Sequence, residues 1–235
     1  MRAGICDLKK LNEEFESRTA RQIVEWAAGE FWPDLAVSSS FGAESACLLH
    51  LASSVRPGIR VVFVNTGFLF PETLRFRDEL ARRLGLKVEE FTPALPNAEF
   101  LARHGRLYET DPEACCAANK VEPMARALAG LRCWMSGVRS NQTAYRSSMS
   151  FVEVKQDGLV KVSPLLRWST KQVHEYLKAQ ALPVHPLWEK GYASIGCEPC
   201  TAVPGDPTDP RSGRWLGKNK TECGIHTFLD RSKSA

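Results

Sequence analysis

The stretch from residue 34 to residue 45, DLAVSSSFGAES, decides the fold. It begins as a short apolar run, the pattern of a buried strand, and continues as a turn of small polar residues. The segment that overlaps its end, ESACLLHLASSV at residues 44–55, predicts a helix. A strand that enters a helix through a turn of small residues is the unit from which α/β domains are built.

The same alternation continues along the chain. IRVVFVNTG at 59–67 predicts a buried parallel strand, and PETLRFRDELARRLG predicts a helix that begins at Pro71 and ends at Gly85. LKVEEF and RCWMSGVR predict two further strands, separated by a helical pattern that Pro123 interrupts. We therefore expect an α/β fold with a mostly parallel sheet flanked by helices.

The pattern changes after the fourth strand. FVEVKQDGLVKVSPL at 151–165 alternates on both sides of Asp157 and Gly158, which predicts a hairpin. Beyond Pro183 the chain is rich in Pro, Gly and Cys and predicts a loop-rich tail. We expect one domain over residues 1–210 and a mobile C-terminal tail over residues 211–235.

Composition restricts the class of protein. The chain has 235 residues, of which 43% are hydrophobic and 25% are charged, as in a single soluble globular domain. Its net charge of +4 suits an anionic small molecule, and no long run of like charges indicates a nucleic-acid-binding arm. No apolar stretch reaches the ~18 residues of a membrane helix, and the first residues lack the apolar core of a signal peptide. We expect a cytoplasmic protein without membrane or nucleic-acid partners.

The turn after the first strand is a candidate anion site. Free backbone N–H groups at a helix N-terminus attract phosphate, and glycine allows close approach. The candidate residues are Ser38, Ser39, Ser40, Phe41, Gly42 and Ser45. The turn lacks the Gly-Lys-Ser/Thr ending of a Walker loop, and a serine-rich turn without a ligand stays open as an alternative. The sequence of residues 40–45, SFGAES, resembles the Ser-Gly-Gly-x-Asp-Ser loop of the adenine-nucleotide α-hydrolase and ATP-pyrophosphatase superfamily, although Phe41 replaces a glycine. This resemblance implies an adenine nucleotide at the carboxyl ends of the strands.

Four of the eight cysteines form two close pairs, Cys115–Cys116 and Cys197–Cys200. In a reducing compartment, metal binding or thiol chemistry is a better explanation for them than disulfides. Four thiolates suit Zn²⁺ or an iron–sulfur cluster. Adjacent cysteines converge on one small ion only with strain, whereas they can bind different irons of a cubane, so we favour a [4Fe–4S] cluster. A redox pair at Cys197 and Cys200 with two packed cysteines elsewhere stays open.

A further cysteine, Cys223, lies in the polar segment KTECGIH near lysines and arginines. Cations lower the pKa of a thiol and so favour the nucleophilic thiolate, which makes Cys223 a candidate nucleophile. A terminal cysteine without a role is the alternative.

Together these features resemble one family, the iron–sulfur-containing adenylyl-sulfate (APS) reductases, which are relatives of the phosphoadenylyl-sulfate (PAPS) reductases. The segments that carry the resemblance are SSSFGAES, VNTGFLFPET, CCAANK, WMSGVRSNQT, PLLRWSTKQVHEYL, GYASIGCEPCT, GRW and ECGIH, which span residues 36–226. In this family, cluster cysteines accompany APS as substrate, and PAPS enzymes typically lack them.

The resemblance implies a mechanism. Cys223 would attack the sulfate sulfur of APS, AMP would leave, and thioredoxin or a glutaredoxin-like dithiol would release sulfite from the S-sulfocysteine. The cations and imidazole that match family positions around the substrate are Lys120, Arg139, Arg211, Arg214 and His226. The same reaction on PAPS, ATP-dependent tRNA thiolation and a structural zinc module are the alternatives. A homo-oligomer stays open, because the sequence does not give the oligomeric state.

Overall fold

The computed structural model describes residues 7–155, 157–206 and 208–230. Its sheet has six strands, in the order β3-β2-β1-β4-β6-β5. Their bounds are β1 Leu35–Ser38, β2 Arg60–Val64, β3 Lys87–Phe91, β4 Cys133–Ser136, β5 Val152–Val154 and β6 Val160–Val162. Every neighbouring pair is parallel except β5 with β6, which is antiparallel. The predicted mostly parallel sheet is confirmed, and the hairpin around Asp157 and Gly158 is present.

Helices connect the strands and cover the sheet. Within the described residues they are α1 Leu8–Phe15, α2 Ala20–Phe31, α3 Ser45–Val55, α4 Pro71–Leu84, α5 Asn97–His104, α6 Leu107–Thr110, α7 Pro112–Cys116, α8 Glu122–Leu128, α9 Ala144–Ser147 and α10 Thr170–Ala179. Helix α4 begins at Pro71 and ends before Gly85, whose φ of 61° is left-handed, as the sequence predicts. No described helix is long and apolar enough to cross a membrane.

Alternate residues of the central strands face two different layers. Leu35 and Val37 of β1 belong to the main core with α2, α3 and α10, whereas Ala36 between them faces Trp134 and α8. The second layer is smaller, and Ile225, Phe228 and Leu229 from the end of the described chain pack on it. The segment that the sequence predicts as a mobile tail is thus docked on the sheet over residues 221–230. Residues 231–235 lie outside the described residues.

The helix that Pro123 was expected to interrupt consists of three parts. Helix α7 ends at Cys116, a π-helical segment spans Ala117–Val121, and α8 begins at Glu122. Because α8 continues this helix without a break and Pro123 has no N–H, Pro123 cannot form the usual α-helical hydrogen bond, and the wider π-helical turn lies directly before it. π-Helical turns are rare and often lie at functional sites, and this one carries the buried Lys120.

Candidate active site

A cavity of about 600 Å³ opens at the carboxyl ends of β1 and β4. From β1 the chain continues to β2 on one side of the sheet, whereas the neighbour of β1 on the other side is β4. The cavity therefore lies where the strand order reverses, which is where α/β sheets usually bind ligands. Nearly all the predicted substrate residues, and the predicted nucleophile, line it: Ser38, Ser39, Ser40, Gly42, Ser45, Lys120, Arg139, Arg211, Arg214, Cys223 and His226. Segments almost 190 residues apart in the chain therefore meet in one cavity.

Phe41 is the one predicted substrate residue whose side chain does not line the cavity. It is fully buried and packs edge-on against the Phe63 ring, with the ring centroids 5.3 Å apart. Its backbone adopts a left-handed φ of 48°, in a turn where the Ser39 hydroxyl accepts a 3.0 Å hydrogen bond from the Phe41 N–H. Phe41 therefore anchors the loop to the core and does not line the cavity.

Glu44 is a site residue that the sequence reasoning missed. Its carboxylate forms an ion pair of 2.8 Å with Arg139, whose side chain is only 6% exposed. The predicted cation Arg139 is thus already partnered within the protein. Its guanidinium ties the end of β4 to residues 38–45, which we call the nucleotide loop after the ligand that the sequence resemblance implies. Glu44 stands inside the quoted loop motif, but its partner lies 95 residues away and no local pattern reveals it.

Two arginines reach the cavity from the loop before Cys223. Arg211 donates a 2.8 Å hydrogen bond to the carbonyl of Thr221, and burial lowers its pKa to about 10. Arg214 donates to the Cys200 carbonyl at 3.2 Å, and its guanidinium lies 4.5 Å from the centroid of the Trp215 ring. Both cations are held by the chain, so they are preorganised for an anion.

Cys223 is a half-buried cysteine beside the buried ammonium of Lys120. Burial alone would raise its pKa, but the Lys120 charge and a hydrogen bond from the Ile225 N–H outweigh burial and lower the pKa. By contrast, burial raises the pKa of Cys47 in the core to about 12. The surroundings of Cys223 therefore favour the thiolate form next to the cavity, whereas those of Cys47 oppose it.

The residue before Cys223 forms a buried ion pair. Glu222 accepts hydrogen bonds of 2.7 and 2.9 Å from the Arg146 guanidinium and a third, of 2.7 Å, from the Thr143 hydroxyl. Both charged side chains are 9% exposed. These donors lower the pKa of Glu222 although burial acts to raise it. No local sequence pattern singles out Glu222, Arg146 or Thr143, because the three residues meet only in the folded chain.

His226 lies flat against Trp134, with ring centroids 5.5 Å apart and an interplanar angle of 6°. Burial and the nearby Lys161 and Arg146 charges hold the pKa of His226 well below its usual value, so the imidazole is neutral. On the edge of the same indole, Trp134 Nε1 donates a 2.7 Å hydrogen bond to Ser38 Oγ. One buried tryptophan thus contacts both the nucleotide loop and the tail.

The two cysteine pairs meet beside the main cavity. Cys115, Cys116, Cys197 and Cys200 are all buried and line one small cavity, together with Phe68, Tyr108 and Lys120. Thr66 Oγ1 lies 3.2 Å from Cys197 Sγ, and Asn119 Nδ2 lies 3.7 Å from Cys115 Sγ. Over the described ranges, no three His, Cys, Asp or Glu side chains converge closely enough to hold a single metal ion. Lys120 lines both cavities and forms part of the wall between them.

Comparison with known proteins agrees with this geometry. The phosphoadenosine phosphosulfate reductase domain matches residues 34–203. The chain is 41% identical to an adenosine 5'-phosphosulfate reductase of Streptomyces coelicolor, covering 94% of this chain and 95% of that protein. It is also 41% identical to a phosphoadenosine 5'-phosphosulfate reductase of Synechococcus, covering 96% of this chain and 100% of that protein.

Solved structures show the same fold. A phosphoadenylyl-sulfate reductase from Candida auris, solved as a phosphate complex, superposes with a TM-score of 0.74 at 25% identity, covering 86% of this chain and 99% of that one. An FMN adenylyltransferase from Candida glabrata superposes with a TM-score of 0.58 at 15% identity, covering 83% of this chain and 71% of that one, a likeness of fold alone.

Fold and cavity together define an α/β protein with a six-stranded, mostly parallel sheet and a cysteine on the wall of the cavity at the carboxyl ends of its strands. The chain belongs to the phosphoadenosine phosphosulfate reductase family, whose relatives above are oxidoreductases that act on sulfur. A nucleotide sulfate is the substrate class that this family implies.

Proposed function

We propose that the protein reduces adenosine 5'-phosphosulfate to sulfite and AMP, with Cys223 as the nucleophile. The observation that carries the proposal is the position of Cys223 on the wall of the cavity that the nucleotide loop also lines. Its lowered pKa beside Lys120 supports the thiolate form that such an attack requires.

The first half-reaction forms one bond and breaks one bond. The Cys223 thiolate attacks the sulfur of the sulfate group, an S–S bond forms, and the S–O bond to the AMP phosphate breaks. AMP leaves with that electron pair, and Cys223 carries an S-sulfonate. AMP is a good leaving group, so the step needs no strong acid. It needs positive charge around three anions, which are the sulfate, the α-phosphate and the thiolate.

The cations on the cavity wall can supply that charge. Lys120 is the ammonium whose charge favours the Cys223 thiolate, so it is placed to serve the sulfate that the thiolate attacks. Arg211 and Arg214 lie before the tail, and guanidinium groups suit forked contacts with phosphate and sulfate oxygens. Backbone N–H groups of the loop around Gly42, at the start of α3, would bind the nucleotide phosphate. Neutral His226 supplies no charge.

The second half-reaction consumes a dithiol. One thiolate of the dithiol attacks Cys223 Sγ, and sulfite leaves with the electron pair of the S–S bond. The second thiol of the reductant then resolves the mixed disulfide, which returns Cys223 as a thiol and oxidises the dithiol to a disulfide. Thioredoxin or a glutaredoxin-like protein has this chemistry. The docked tail must move for a protein of that size to reach Cys223.

We also propose that Cys115, Cys116, Cys197 and Cys200 hold a [4Fe–4S] cluster. Four buried thiols around one cavity are the donor set that such a cluster requires, and adjacent cysteines suit separate irons. When bound, the cluster would supply a fixed charge and tie the 197–200 turn to helix α7, which places Lys120. Protein purified without oxygen should contain about four irons per chain. Cys116→Ser should lose them, whereas Cys47→Ser in the core should keep them.

APS is proposed rather than PAPS because cluster cysteines accompany APS in the resemblance. Relatives named for either nucleotide are 41% identical to this chain, so overall identity does not choose between them. Steady-state assays with each nucleotide and excess thioredoxin test the proposal. We expect kcat/KM to be higher for APS and turnover to vanish in Cys223→Ser. Full turnover by Cys223→Ser would refute the proposed mechanism, and a preference for PAPS would refute the proposed substrate.

A further inference from the structure

The residues after Cys223 dock on the protein through a compact segment. Gly224 turns the chain with a φ of 87°, and its carbonyl accepts hydrogen bonds from the N–H groups of Thr227 and Phe228, at 3.1 and 2.9 Å. A Cβ at Gly224 would lie 3.0 Å from the Val121 side chain, directly after Lys120 in the chain. Close approach of this turn therefore places Cys223 against the π-helical segment.

Beyond the turn, Asp230 makes a polar contact at the end of the described chain. Its Oδ1 accepts a 2.8 Å hydrogen bond from Lys155 Nζ, and its Oδ2 accepts one from the Tyr145 hydroxyl. The same hydroxyl lies 3.0 Å from the carbonyl oxygen of His226. Tyr145 and Lys155 thus hold the segment on both sides of its apolar residues, Phe228 and Leu229.

Burial gives the Asp230 contact its strength. The Asp230 side chain is 40% exposed, and exposed ion pairs contribute little. However, the Lys155 side chain is only 4% exposed, and its other carboxylate contact, Glu153, lies farther away at 3.3 Å. A buried ammonium that loses a partner is costly, so Lys155 favours the docked segment.

Tyr145, Lys155 and Asp230 lie outside the cavity in which the proposed reaction takes place. The lining of the cavity includes Cys223 and His226 but none of Tyr145, Lys155 and Asp230. A change at Asp230 therefore alters how the tail sits, without removing a group that meets the nucleotide.

We propose that Asp230 is a positioning residue that, through Lys155 and Tyr145, holds the Cys223 tail over the nucleotide cavity during sulfur transfer. This inference rests on the proposed role of Cys223 as nucleophile. Sulfur transfer to Cys223 requires the docked tail, whereas attack by a dithiol on the S-sulfocysteine requires an accessible one. Weakening the anchor therefore slows the first half-reaction and does not slow the second.

The test compares Asp230→Asn and Tyr145→Phe with the wild type and with Asp78→Asn, which removes the exposed carboxylate of an ion pair on α4. The first measurement is the rate at which iodoacetamide alkylates Cys223 in the protein without nucleotide, followed by peptide mass spectrometry. Loss of one charge-assisted hydrogen bond should raise this rate about five- to tenfold in Asp230→Asn, with a smaller rise in Tyr145→Phe. Asp78→Asn should match the wild type.

The second measurement separates the half-reactions. Single-turnover formation of the S-sulfocysteine from APS should slow in Asp230→Asn, while its cleavage by dithiothreitol should be as fast as in the wild type or faster. Cys223 alkylation rates equal to that of the wild type in both variants would refute the positioning role of Asp230, whether or not Cys223 is the nucleophile. Full turnover by Cys223→Ser would instead overturn the proposed function, and the alkylation result would still stand.

Discussion

Trp134 Nε1 donates a 2.7 Å hydrogen bond to Ser38 Oγ, although the two residues are 96 positions apart in the chain. Strands β1 and β4 are parallel neighbours, which brings the side chains together. Because the face of the same indole stacks on His226, the nucleotide loop and the segment after Cys223 share one neighbour. Ser38 and the tail should therefore be sensitive to the same substitution.

Trp134→Phe tests this link by removing the N–H while keeping an aromatic ring. Loss of one hydrogen bond of about 1 kcal/mol should raise KM for the nucleotide roughly fivefold. Ser38→Ala should have a similar effect, and the double variant should be little worse than either single one, because both remove the same bond. The control is Trp168→Phe, because Trp168 contacts Tyr176 where both pack against the main core. Additive effects of Trp134→Phe and Ser38→Ala would argue against the link.

Lys120 should control both the thiolate and turnover. Its charge lowers the pKa of Cys223, so Lys120→Ala should move the pH profile of Cys223 alkylation to higher pH. Turnover at pH 7 should fall at least about tenfold, because the variant loses a cation that serves both the thiolate and the sulfate. The iron content of Lys120→Ala should equal that of the wild type. The control is Lys9→Ala, which replaces an exposed lysine on α1 and should behave as the wild type in all three measurements. An unshifted alkylation profile would contradict the assigned role of Lys120.

Gly196 should be required for the position of Arg214. A Cβ at Gly196 would lie 2.2 Å from Arg214 Nη2, so Gly196→Ala forces that guanidinium away from the Cys200 carbonyl. The flexible arginine can move, and the fold should survive. Activity should fall as far as in Arg214→Ala. Gly29→Ala in α2, with nothing within 4 Å of the new Cβ, should keep activity and add up to about 1 kcal/mol of stability. Full activity in Gly196→Ala would show that this position of Arg214 is dispensable.

The Glu222–Arg146 pair should make stability depend on pH. The pKa of Glu222 is lowered in the folded protein, so its stabilising effect is present above its unfolded pKa of about 4.3 and is lost as pH falls through the folded value. Urea unfolding should show a smaller loss of free energy between neutral and acidic pH in Glu222→Gln than in the wild type. Glu99→Gln, which removes the carboxylate of an exposed ion pair with Arg103, is the matched control. Identical slopes for Glu222→Gln and the wild type would contradict this assignment.

Much of the fold follows from local sequence. Apolar runs such as residues 59–67 predict buried strands, and Pro71 and Gly85 mark the bounds of α4, because these signals depend on near neighbours. The π-helical segment before Pro123 was not predicted, since its pattern differs little from that of an α-helix. The mobile tail remains a prediction, and the structure shows a docked arrangement of residues 221–230.

The site was predictable where residues carry their own chemistry. Cysteines, cations and a loop of small residues are visible in the sequence, and all but Phe41 of the predicted substrate and nucleophile residues line the cavity. Phe41 differs because a left-handed turn directs its ring to the core. The ion pairs of Glu44 with Arg139 and Glu222 with Arg146 were missed because they join segments that only the folded chain brings together.

Mass spectrometry of the protein after mixing with APS, without any reductant, tests the central claim most directly. We predict one SO₃ group attached to Cys223, no such group in Cys223→Ser, and its release as sulfite when thioredoxin is added. Catalytically active protein that carries no adduct on Cys223, or carries it on another cysteine, would contradict Cys223 as the nucleophile.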